Sequence, residues 1–216
     1  MKTFTGTRIR MLSSVALAAS FLVAGGAKAE VFDIEQEDFA GSFITSFLKY
    51  RVNEKTISTT STGEIKKKGL GKFQSHTATE FNLGGGSCDT GNTDPYVFDQ
   101  LFFVVRSNVV LTFESGQVFL KAVPLEEDAP AGGGCFYLFA DPEEETLTLA
   151  EVPGRFDLVV KYKVVGGTGE FAGATGELEA TSRGTVLEWN DLGADGYNFF
   201  GGVSGTLEGS FCTNCP

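Results

Sequence analysis

Histidine occurs once in this chain, as His76, and tryptophan once, as Trp189, while 17 Lys and Arg stand against 28 Asp and Glu. Each shortage excludes a class of function. One histidine and no G-x-S-x-G stretch leave no serine-hydrolase triad, and His76 lies in a threonine-rich, strand-like segment where a surface or satisfied core role suits it. A net charge of −11 repels phosphate backbones and anionic lipid, so neither nucleic acid nor a membrane surface is expected as a partner. The apolar run at residues 11–23 falls short of the about 18 residues that a spanning helix needs, so no membrane insertion is expected.

That run belongs to a different pattern. Lys2, Arg8 and Arg10 precede it and Ala27-Lys28-Ala29 follow, which is the basic, apolar, small-x-small order of a secretory signal peptide over residues 1–29. Cleavage is expected after Ala29, and it would make the remainder still more acidic. The expected location is secreted or periplasmic.

Four cysteines in such a compartment are read as disulfides, with three pairings allowed. Cys88 and Cys135 each follow a glycine run, which favours two loops stapled to each other. Cys212 and Cys215 would then close locally. A redox C-x-x-C belongs at a helix start, and structural zinc recruits such pairs twice, so neither chemistry is expected here. Asp89, Asn92 and Asp94, or Asp191 with Asp195-Gly196, offer calcium-type oxygens but lack the glutamate that ends an EF-hand loop. No metal and no cofactor is expected. The acidic runs Glu126-Glu127-Asp128 and Glu143-Glu144-Glu145 read as solvated loop surface.

Along the chain, residues 30–55 form an N-terminal segment. In it Phe39, Phe43 and Phe47, with Ile44 and Leu48, recur at three and four, favouring a short helix over the competing alternation. Residues 56–68, ISTTSTGEIKKK after Thr56, read as an exposed edge or loop. Residues 70–83, 96–106, 109–114, 118–123, 135–140 and 146–152 read as strands, broken by glycine-rich loops and by turns at Ser115-Gly116, Asp141-Pro142 and Pro153-Gly154. Then Phe156, Leu158, Val160, Tyr162 and Val164 alternate with mostly charged neighbours, a half-buried strand. Phe199, Gly201, Val203, Gly205, Leu207 and Phe211 share one face of the last segment. Glycines between aromatics on an inward face suit a strongly curved sheet. The fold class is therefore all-β, a single antiparallel barrel of about eight strands over residues 56–216, with Tyr162, Phe199 and Trp189 as lining candidates.

The densest feature is VVGGTGEFAGATG at 164–176, which sets Gly166, Gly167, Gly169, Gly173 and Gly176 around Phe171. Gly167-Thr168-Gly169-Glu170-Phe171-Ala172 fits the dinucleotide fingerprint as a string, with Glu188 downstream. That site, however, requires a helix to begin at the glycines, and ATGELEATSRGTVLEW has no helical face. The glycines thus describe backbone shape.

This hairpin, from Tyr162 to Gly176 between two long strands, resembles the allene oxide cyclase and dirigent β-barrel superfamily, most of all its secreted bacterial proteins. Gly69-Leu70-Gly71-Lys72-Phe73 and GVSGTLEG at 202–209 are similar in style, and the resemblance covers residues 156–211. It implies an eight-stranded antiparallel barrel with an apolar interior and Phe171 plugging its wall or end. Members cyclise an unstable fatty-acid epoxide or guide phenoxy-radical coupling, confining a reactive apolar molecule in one shape. No functional residue carries over, and the four cysteines and glycine-rich loops depart from that pattern. The expected function is a non-catalytic, disulfide-bonded barrel that binds a small apolar ligand or serves as an extracellular interaction module. The rival is an enzyme of that kind, acting by confinement with one buried carboxylate. A purely structural protein would show a filled barrel and an exposed apolar patch.

Overall fold

The computed structural model describes residues 29–215 except 48–53, 67–69, 84–85, 89–92, 125–128, 144–148 and 192–196. The signal-like segment 1–28 therefore lies outside the described residues, as do Asp89, Asn92, Asp195 and Glu126.

Nine strands follow one another: β1 Glu30–Phe47, β2 Glu54–Ile65, β3 Gly71–Leu83, β4 Val97–Phe113, β5 Gly116–Ala122, β6 Gly132–Ala140, β7 Leu149–Gly169, β8 Thr175–Asp191 and β9 Tyr197–Thr213. All pairings are antiparallel, and no helix occurs among the described residues. Each strand pairs with its successor from β1 to β5 and from β6 to β9, and β9 returns to β1, closing a barrel. Residues 97–103 of β4 pair with β6, whereas 108–113 pair with β5. β7 meets β6 through 149–160 and β5 through 162–169. β5 and β6 thus occupy one position end to end, an eight-stranded barrel with one extra strand. Closure gives every one of the nine strands neighbours on both sides.

Residues 30–47 are a strand, not a helix. The spacing of Phe39 and Phe43 by four is a multiple of the strand period of two, and both follow a bulge at which the register with β9 shifts between Ile34 and Glu37 and Gln36 takes φ 45°. One extra residue moves the inward side from Phe32 and Ile34 to Phe39, Phe43 and Thr45. The segment read as preceding the barrel therefore supplies one of its walls.

Residues 54–65 are likewise a wall strand with partners on both sides, not an edge. A small hydroxyl side chain is compatible with either face of a strand, so polarity alone misleads there. Residues 97–113 run as one strand with a register shift opposite Glu80 and Phe81, and Pro153-Gly154 lies inside β7. Pro153 falls where five residues of β7 span two of β6, a place where its missing N–H breaks no ladder.

The hairpin glycines serve geometry. Gly169 at φ 60° and Gly173 at φ 72° bound a turn in which Phe171 N donates to Thr168 O and Ala174 N to Phe171 O. Only glycine adopts that backbone without strain. The turn drives Phe171 inward until 1% of its surface remains exposed. Its ring stands 5.2 Å from Phe113 and 5.9 Å from both Phe32 and Phe211, closing one end of the barrel.

Candidate ligand site in the barrel lumen

Above the Phe171 plug the lumen holds two small chambers. The outer one, about 110 Å³, lies at the end where β1, β3, β6 and β8 finish, and six phenylalanines dominate its wall: Phe43, Phe81, Phe102, Phe136, Phe156 and Phe199. Their rings interlock, Phe43 meeting Phe156 edge-on at 5.0 Å, Phe81 meeting Phe102 at 5.5 Å and Phe136 meeting Phe199 at 5.2 Å. Thr45 and Gln100 are the polar residues of this wall, and Thr45 is occupied, since Phe199 N donates to its Oγ1 at 2.7 Å.

Ile57 and Phe156 border both chambers and form the neck between them. Phe156 stays there because β8 has glycine opposite it, and a Cβ on Gly184 would overlap its ring. The inner chamber, about 70 Å³, is apolar along β7 to β9 except at Tyr162 and Ser182, and carries further hydroxyls from β2 and β3. Ser61 and Ser75 bond each other at 2.6 Å. Thr79, Ser107 and Tyr162 form a chain, with links of 2.7 Å and 3.0 Å. Burial pushes the Tyr162 hydroxyl up to about 12, the Ser107 hydrogen bond offsetting part of the shift, so it stays neutral near pH 7. Among the described residues no charged side chain lines either chamber.

Of the lining candidates, Tyr162 sits in the inner chamber and Phe199 in the outer one. Trp189 lies opposite Phe199 in the β8–β9 register, and its side chain is outside the described part. Sequence reasoning missed most of the phenylalanine cage and the hydroxyl wall. Alternation of Thr59, Ser61, Ser75, Thr77 and Thr79 was the available signal, and reading 56–68 as an edge concealed it.

The disulfides join Cys88 to Cys135 and Cys212 to Cys215. The first clamps the β3–β4 connection across β4 onto β6 near the outer chamber. There Leu101 N donates to Gly86 O at 2.9 Å and Ser87 Oγ donates to Asp99 at 2.7 Å. His76 is on the outer surface, 3.4 Å from Thr60 Oγ1. Asp94 accepts from Tyr96 N, and no metal-holding cluster of His, Cys, Asp or Glu occurs among the described residues. Outside the wall, the cross-strand partners Ile44 and Phe200 are both exposed.

Comparison with protein-family models, curated proteins and solved structures returns no match. What the fold and lumen define is a class, a closed disulfide-bonded β-barrel with an aromatic mouth.

Proposed function

We propose that this chain is an extracytoplasmic barrel of the allene oxide cyclase and dirigent type that binds one small apolar molecule at its mouth without transforming it. The phenylalanine cage carries the reading: an aromatic chamber of about 110 Å³ at the end opposite the Phe171 plug. Pockets for small molecules combine such walls with a few placed polar groups. The disulfides fit an oxidising compartment, and the basic, apolar and small-x-small order of residues 1–29 fits export. The superfamily assignment rests on the 162–176 hairpin and the barrel it joins. The acid–base form of the rival enzyme needs a group that exchanges protons near neutral pH. Among the described residues no carboxylate or histidine lines either chamber, which favours binding over catalysis.

Saturating the protein with benzene and toluene tests this. A bound guest raises stability by about 2.7 kcal/mol at a hundred times its dissociation constant, read as a rise in Tm. It should also shift the ring resonances of Phe43, Phe102 and Phe156. No rise in Tm and no ring shifts at saturation would refute the proposal.

A further inference from the structure

The inner chamber has more hydrogen-bonding capacity than its own contacts consume. Each Ser, Thr or Tyr hydroxyl has one O–H to donate. The Ser61–Ser75 pair spends one of its two, and the Thr79–Ser107–Tyr162 chain spends two of its three. Thr59 and Thr77 also face this space and make no side-chain hydrogen bond among the described residues. The unspent donors and the oxygen lone pairs converge on about 70 Å³, room for a polar group and too little for a ring system. The neck of Ile57 and Phe156 joins this space to the phenylalanine cage.

We infer that the inner chamber receives the uncharged hydrogen-bonding head of the guest whose apolar part fills the mouth. The ligand class is then a short neutral amphiphile such as an aliphatic alcohol, and carboxylates are rejected. An alcohol head can donate and accept among hydroxyls that do both. A carboxylate would be buried without a cation, because no charged side chain lines either chamber among the described residues, in a chain of net charge −11. This inference rests on the mouth-site reading above and adds the chemistry of the head.

The test is calorimetric titration of the purified full chain at pH 7 with n-hexane, 1-hexanol and sodium hexanoate. Hexanol should bind about tenfold tighter than hexane, and hexanoate at least about a hundredfold weaker than hexanol. The double substitution Ser61→Ala/Ser75→Ala removes both members of a bonded pair and orphans neither, so the fold should survive. It should reduce the advantage of hexanol over hexane severalfold, since one of the unspent donors and four oxygen lone pairs are lost while those of Thr59, Thr77 and the Tyr162 chain remain. Equal binding of hexanol and hexane, hexanoate binding as tightly as hexanol, or an advantage undiminished in the double variant would each overturn the inference while leaving an apolar mouth site standing. Failure of all three compounds to bind would overturn the mouth-site reading itself, and this inference with it.

Discussion

Replacing Phe171 by alanine removes the ring that closes the barrel, and the packing around it sets the cost. A buried Phe→Ala change costs about 3–5 kcal/mol, combining lost transfer energy with the cavity left behind. The upper end of that range applies here, since the ring is 1% exposed and loses aromatic contacts with Phe32, Phe113 and Phe211, each worth about 0.5–1.5 kcal/mol beyond area. Against a domain stability of about 5–15 kcal/mol, a loss near 5 is severe. With a urea slope of about 2 kcal/mol/M the unfolding midpoint should fall by about 2.5 M at unchanged slope. Phe171→Leu, which keeps most of the apolar volume, should cost about 1–2 kcal/mol. Val165→Ala, at a side chain 55% exposed on the same hairpin, should stay within about 0.5 kcal/mol and serves as the control. A Phe171→Ala loss below about 1 kcal/mol, or one equal to the control, would refute the plug.

The two disulfides should differ in worth. Loop-closure entropy assigns about 4 kcal/mol to Cys88–Cys135, separated by 47 residues, and about 2 kcal/mol to Cys212–Cys215, separated by 3, so paired alanine replacements compared by chemical denaturation should differ by about 2 kcal/mol. Equal losses would show that the longer bridge does not constrain the unfolded chain. For Tyr162 the folded pKa is raised from 10.0 to about 12, so its contribution is intact below pH 10 and is lost as pH climbs through 12. Between those values the parent protein should lose up to about 1.4 kcal/mol per pH unit more than Tyr162→Phe, and parallel curves would mean that the phenol is solvated.

Much of the barrel was legible locally. On β7 the period of two placed Phe156, Val160, Tyr162 and Val164 inward, as observed, and on β9 it did the same for Phe199, Val203, Leu207 and Phe211. The absence of a helical face after Gly169 was legible too, since strand β8 follows the turn. The misreadings fall where local pattern and global pairing part company. On β1 the inward residues Phe39 and Phe43 stand four apart, which imitates helical spacing, and β2 looked like an edge because its inward face carries Thr59 and Ser61 beside Ile57 and Ile65.

The amino-acid order alone therefore determined the strand faces of β7 and β9 and the glycine-built hairpin with its single phenylalanine. These are properties of adjacent residues and of backbone conformations that only certain side chains allow. Tertiary structure decided the site. That six phenylalanines from β1, β3, β4, β6, β7 and β9 meet in one cage depends on closure and register. So does the meeting of Ser107 with Tyr162, 55 residues apart. Period-two alternation tells which way a side chain points, but only the paired and closed sheet tells what it faces.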